Sequence, residues 1–206
     1  MDIEIRAARP EDVEAAVPLI FSSGPDTFNY VFSHRTRTNA EGFLRRAFVK
    51  ENGEFGYKNH HVAVLDGVVI AAGTGYSSGD MMGFTLAAMR DIFSCYGPIT
   101  GLAVIRRGLQ VERVVRPPKS NLHYIAHIGV APELRGRGVG ARLVNFLLEQ
   151  GRAKSRTVAG LDVSVENPRA QALYERLGFK VVKEEVSLFR NDTAHVPHHR
   201  RMELQL

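Results

Sequence analysis

Leu122–Gln150 reads LHYIAHIGVAPELRGRGVGARLVNFLLEQ, and 165–179 reads VENPRAQALYERLGF; these two runs decide the fold. The first is patterned as a strand, a glycine-bearing turn and a helix that starts on the glycines. A turn of that kind leaves the first helical N–H groups unpaired, with the positive end of the helix dipole behind them. A phosphate group suits the place. Gly136, Gly138 and Gly140 let a diphosphate approach the backbone, and Arg135, Arg137 and Arg142 add positive charge. The residues therefore point to an anionic cofactor.

Around this stretch, short strands alternate with helices. Residues 3–8 alternate as a strand, and Asp12 is placed to cap a helix running through Ile20. Residues 22–30 mix turn formers with aromatics, and a helical pattern follows over Phe43, Leu44, Ala47 and Phe48. Strands 61–65 and 68–76 meet at Asp66-Gly67, a strong hairpin signal. Residues 79–116 form an insertion of two helices parted by Gly97-Pro98 and closed by Pro117-Pro118; the pattern fits core-packed helices, a lid or a dimer surface. Downstream, strand 122–130, helix 137–154, strand 158–165, helix 168–177, strand 179–188 and strand 200–206 complete the chain. The expectation is one α/β (α+β) domain over 1–206, its mixed, mostly antiparallel sheet flanked by helices, with a helical insertion between the third and fourth strands.

With 206 residues the chain can bury a full core, and 44% apolar and 24% charged residues are ordinary for a soluble protein. A charge of +5, scattered along the chain, suits an anionic cofactor and argues against nucleic acid. Cys95 is the single cysteine, so no internal disulfide forms. The start MDIEIR lacks the pattern of a signal peptide, and no apolar run reaches the ~18 residues of a membrane span. A cytoplasmic protein, without membrane contact, is expected.

Gly136–Ala141 also fits G-x-G-x-x-G/A, and Asp162 falls where a ribose-binding acid is expected. Too little chain follows Gly140 to complete a dinucleotide-binding fold, and the G-K-[ST] of a Walker loop is absent. A structural glycine turn is the plain alternative. What surrounds the loop speaks for a third reading. Arg135-Gly136-Arg137-Gly138-Val139-Gly140 after a strand, then Asn167, Ala170, Leu173, Tyr174, Glu175, Gly178 and Phe179, resembles the GNAT superfamily of acyl-CoA-dependent N-acyltransferases. The resemblance covers residues 122–190, and the 79–116 insertion departs from it.

This resemblance implies acetyl-CoA as co-substrate and a primary amine as acceptor, a small molecule or peptide, joined by direct attack in a ternary complex with no metal. The backbone of Arg135, Gly136, Arg137, Gly138, Val139, Gly140 and Ala141 would hold the diphosphate. Ile128, Gly129 and Val130 would run along the pantetheine arm, with Ile128 and Val130 pairing to it like an added strand. Asn167 and Ala170 would line the thioester end, although Asn167-Pro168 also reads as a plain helix cap. Tyr174 would be the acid that protonates the leaving thiolate. Asp162 lies where some members carry a carboxylate base. A CoA-binding sensor or scaffold without transferase activity is the alternative reading.

Other candidates read more blandly. Two-residue alternation puts Tyr124, Ala126 and Ile128 on one strand face, and His123 and His127 on the other, where His127 reads as a satisfied core histidine. Phe28–Phe32 with Tyr57, His60 and His61 are candidates for the acceptor wall. His195, His198 and His199 belong to a flexible turn rather than a metal site. Arg106, Arg107, Arg113, Arg116 and Lys119 read as a solvated face, and the insertion offers a possible homodimer surface.

Overall fold

A computed structural model describes residues 2–35, 37–119 and 121–206. Strands β1 (Glu4–Ala7), β2 (His60–Leu65), β3 (Val68–Tyr76), β4 (Leu122–Val130), β5 (Val158–Ser164), β6 (Lys180–Glu185) and β7 (His199–Gln205) form one sheet. Their order is β1-β2-β3-β4-β5-β7-β6. Neighbours are antiparallel except β4 and β5. The mixed, mostly antiparallel sheet is as expected. Asp66 and Gly67 close the β2–β3 hairpin with φ of 51° and 79°, the positive values such tight turns use.

Helices α1 (Val13–Ser22), α2 (Pro25–Phe32), α3 (Ala40–Phe48) and α4 (Met81–Val111) cover one face of the sheet, and α5 (Val139–Ala153) and α6 (Pro168–Arg176) the other. Period-two alternation along β2 feeds both cores: Val62 and Val64 face α1–α4, and Ala63 faces α5. Phe32 stacks on Phe43 at 4.2 Å between centroids, and Tyr96 hydrogen-bonds the Phe32 carbonyl. On the opposite face Val139, Leu143, Val144, Leu147 and Leu148 form the buried stripe of α5. Each such leucine contributes about 1.5–3 kcal/mol by leaving water.

Several local expectations change. Asp12 does not cap α1. Its carboxylate accepts from the Arg6 guanidinium at 2.7 and 2.8 Å and from the Arg9 N–H at 2.8 Å, which folds the chain back onto β1. Much of the stretch 22–30, read as turn formers mixed with aromatics, belongs to the helix α2: Gly24 and Pro25 are consumed in starting it, and Phe28, Val31 and Phe32 follow at helical spacing. Gly97 and Pro98 do separate two helical segments, since α4 bends at Gly97 with φ 72° and ψ 179°. One face of α4 packs inward through Ile92, Tyr96 and Val104, while Met82, Leu86, Ile99 and Leu102 are exposed. Arg107 is no solvated residue; it lies half-buried at the end of α2, near the Ser33 carbonyl. The 195–199 turn is pinned: Val196 is buried, and the His199 ring bonds the Pro197 carbonyl at 2.8 Å.

A bulge in β4 overturns the alternation read from the sequence. Ala72 pairs with Gly129 and Thr74 with Ala126, so His127 and Ile128 together oppose Gly73. His127 takes φ 57° to fit the extra residue. His127 therefore joins the Tyr124 face and packs on Phe28 and Phe55. Ile128 turns to the other side, beside Leu143 and Gly73.

Candidate active site

β4 and β5 pair only where Leu122–Tyr124 meets Val158–Gly160. Beyond that point β5 stays with β7, and among the described residues β4 from Ile125 onward has no strand partner on that side. The two strands splay into a cleft. The Ala131 N–H donates to the Ile70 carbonyl at 2.9 Å with Ala71 opposite Val130. Val130 is therefore at a position whose own N–H and C=O point away from β3, and Ile128 shares that direction. The Val130 carbonyl already accepts from Arg135 Nε at 3.0 Å. Gly129 is different, because its backbone groups face β3. A Cβ there would lie 1.9 Å from the Leu19 carbonyl oxygen, so its smallness serves the approach of α1 to the sheet.

Beside the cleft, Gly136 and Gly138 have φ of 77° and 84°, and the direction of each missing side chain is open. Gly138 starts α5 without a side chain to cap it. The first intrahelical bond runs from the Arg142 N–H to the Gly138 carbonyl at 3.0 Å, which leaves the N–H groups of Val139, Gly140 and Ala141 at the helix mouth. Val139 is buried and anchors the turn, while Gly140 sits close against Leu173 and Val130. These residues can hold an anion by main-chain donors and the helix dipole.

A cavity of about 370 Å³ continues from the cleft across the sheet toward α2 and α4. Asn167, Ala170 and Tyr174 line the cleft end. Asn167 caps α6, its Oδ1 accepting from the Ala170 N–H at 3.1 Å, and Pro168 takes the first helical position. Tyr174 is 8% exposed. Burial pushes its hydroxyl up to about 12, so it remains a neutral phenol at neutral pH. Asp162 faces the cavity but is engaged on both oxygens: it accepts from the Tyr124 hydroxyl at 2.7 Å and pairs with Arg201 at 2.8 Å. Burial pushes this carboxyl up, and Arg201 and Tyr124 pull it back down. A carboxylate so occupied is a poor proton acceptor for a third group. Its partners make it a brace for Arg201, which lies 5.1 Å from the centre of the Tyr124 ring.

The far end of the cavity is lined by Phe28, Val31 and Phe32 of α2, as the sequence suggested, and by Phe55, Ile92 and Ile105. Tyr30 instead donates to Gln110, Tyr57 to Glu51, and His61 meets Gln150 across the sheet. Glu54 and Phe55 were missed, because the run ENGEFGYKN has no periodicity; two aromatics among glycines, of which only Tyr57 was picked out, were its only signal. His127, read as core, lines the cavity beside Glu54. Its Nε2 lies 3.5 Å from Glu54 Oε1, and its Nδ1 lies 3.2 Å from His60 Nε2. Among the described residues, no cluster of three or more His, Cys, Asp or Glu is disposed to hold a metal, and no helix is long and apolar enough to cross a membrane.

Over 62 residues the chain is 40% identical to an uncharacterized N-acetyltransferase of Methanocaldococcus jannaschii, a match covering 30% of this chain and 27% of that protein. The chain thus spans only about a quarter of the length of that relative. In fold it is similar to an N-acetyltransferase from Staphylococcus aureus Mu50, with a TM-score of 0.71 and 18% identity over 98% of this chain and 100% of the other. It is also similar to the yncA protein of Salmonella typhimurium, solved with acetyl-CoA as its cofactor, with a TM-score of 0.59 and 16% identity over 100% and 95% of the two chains. Residues 27–179, which carry α2, the β4 bulge, the α5 mouth and α6, match the acetyltransferase (GNAT) family, and the chain belongs to it.

Proposed function

We propose that the protein is an N-acetyltransferase that moves an acetyl group from acetyl-CoA to a primary amine by direct attack in a ternary complex. The observation that carries this reading is the open β4 edge running from the uncapped mouth of α5 to the buried Tyr174 hydroxyl. The fit is physical. Main-chain donors at Val139–Ala141 suit a diphosphate, the unpaired edge of β4 at Ile128 and Val130 suits an amide-bearing arm, and the cavity beside Ala170 has room for an acetyl group. Acetyl-CoA, when bound, supplies the thioester whose carbonyl carbon the amine attacks. Asn167 keeps its cap on α6 and lines the same cleft. Tyr174 holds a proton for the departing sulfur.

The harder step is on the amine. A lysine-like amine is over three pH units from neutrality, so freeing its lone pair costs about 4–5 kcal/mol at neutral pH unless the site helps. Two linked measurements test the reading. Calorimetric titration with acetyl-CoA should show saturable binding, and an amine panel of aryl amines, polyamines and peptide N-termini should release thiol from at least one member. Binding with no thiol released across the panel would favour a CoA-binding sensor instead.

A further inference from the structure

Resting on the transferase reading, we propose that His127 is the residue that takes the proton from the acceptor amine, held in the required tautomer by His60 and backed by Glu54. The argument is a chain of donors and acceptors. His60 is fully buried, and its Nδ1 lies 3.1 Å from the Gly56 carbonyl oxygen. A carbonyl oxygen only accepts, so the His60 proton is on Nδ1 and its Nε2 carries a lone pair. That Nε2 is 3.2 Å from His127 Nδ1, so His127 must donate from Nδ1. The Nε2 of His127 is thereby left with a free lone pair, directed at the cavity and Glu54.

The surroundings keep this arrangement in place. His60 and His127 stack at 11° with centroids 5.5 Å apart, and Phe55 covers the His127 ring at 5.2 Å. Burial holds His60 down to about 3, so it stays neutral and cannot reverse the chain by taking a second proton. The 3.5 Å gap from His127 Nε2 to Glu54 Oε1 is longer than a hydrogen bond, as two acceptors facing one another require; protonation turns it into an ion pair. The Tyr76 hydroxyl donates to the same Glu54 oxygen at 3.2 Å and orients it. The other titratable groups lining the cavity are Glu112 and Arg116 past the end of α4, Tyr124 on β4, Asp162 on β5, Tyr174 on α6 and His199 on β7; α2 presents Phe28. Asp162 is held by Arg201 on both oxygens, whereas His127 keeps the lone pair of Nε2 toward the cavity.

The step balances. The ammonium gives one proton to His127 Nε2, which later passes to solvent. The freed nitrogen lone pair forms the N–C bond as the C–S bond breaks. The second proton lost by the nitrogen ends on the sulfur through the Tyr174 hydroxyl. The products are an acetamide, a free thiol and one proton.

The test joins a spectroscopic and a kinetic readout. Long-range proton–nitrogen correlation on histidine-labelled protein should find His127 protonated at Nδ1. With the panel amine that is acetylated fastest, His127→Gln should lower kcat by about 10²–10⁴ with the KM for acetyl-CoA unchanged. Its rate should then climb with pH through the range where the amine itself loses its proton. His60→Phe should lower kcat by on the order of 10², since the wrong tautomer presents an N–H in place of a lone pair, and His60→Gln, which keeps an acceptor, should recover most of it. A His127 protonated at Nε2 in the wild type, or a His127→Gln variant with the wild-type pH profile, overturns the proposal. Acetyl-CoA binding without acetylation of any amine is a separate failure: it removes the transferase reading before a variant is made, and the proton-accepting role with it.

Discussion

The cleft end of the cavity and its far end are assembled in opposite ways. The β4 edge, the α5 mouth and α6 come from one continuous stretch, 122–179, and use mainly backbone groups. The far end collects Phe28 from α2, Glu54 and Phe55 from a loop, Ile92 and Ile105 from α4, and the single residue His127 from β4. Backbone recognition demands particular residue types at fixed spacing, glycines above all, whereas an apolar wall accepts many sequences of suitable volume. The first end thus tolerates little change in sequence, and the second much.

The most severe way to break the first end is Gly138→Glu. A carboxylate would stand where the diphosphate is expected, and a side chain would be forced to φ 84°. Acetyl-CoA affinity should fall at least about 10³-fold by titration, an effect of ~4 kcal/mol. Gly138→Asn is the control, since asparagine tolerates this backbone conformation and brings no charge. Equal loss in both variants would mean that backbone strain, not the anion, is responsible.

The same contrast explains what could be read in advance. The glycine turn and the NPRAQALYERLGF run carried the cleft end, and β1, the β2–β3 hairpin and β7 were marked by alternation or a turn. The reversal of faces at His127 was not legible, because a bulge is a one-residue register event that leaves no period of its own. Asp162 was visible as an acid but its partner was not: Arg201 lies 39 positions away and meets it only through the β5–β7 pairing. Gly129 looked like part of the cofactor strand, when its constraint comes from Leu19 on another element.

Tyr174→Phe probes chemistry at the first end without disturbing its grip. The ring and its contact with Phe179 remain, and only the buried hydroxyl is lost. Turnover should fall by about 10²–10⁴ while acetyl-CoA affinity changes little. A wild-type rate would show that the thiolate leaves unaided.

A pH experiment weighs the two ends against each other. His60 under the far end and His123 under α5 are both buried, and burial lowers them from 6.5 to about 3 and about 4. Below 6.5 the unfolded chain binds protons that the folded chain refuses, so stability falls as pH falls from that value toward 4. At pH 5 each histidine should cost about 2 kcal/mol. Urea unfolding at pH 7.5 and pH 5 measures the total, to which His61 and His199, also lowered by burial, add, and His60→Gln and His123→Gln should each remove about 2 kcal/mol of it. If one variant removed all of it, only that end would bury its histidine dry.

The smallest effect sharpens the claim that the cleft end serves fold and ligand together. Asn167 Oδ1 accepts from the Ala170 N–H, so Asn167→Ala should cost about 1 kcal/mol of stability from the lost cap. Asn167→Asp keeps that acceptor and should hold stability to within about 0.5 kcal/mol. It also removes the amide donor and places a negative charge beside the thioester end. If asparagine only starts a helix, the aspartate variant should turn over normally. A stable aspartate variant with reduced turnover would instead assign the amide nitrogen to the cleft, because the cap and the contact use opposite ends of one side chain.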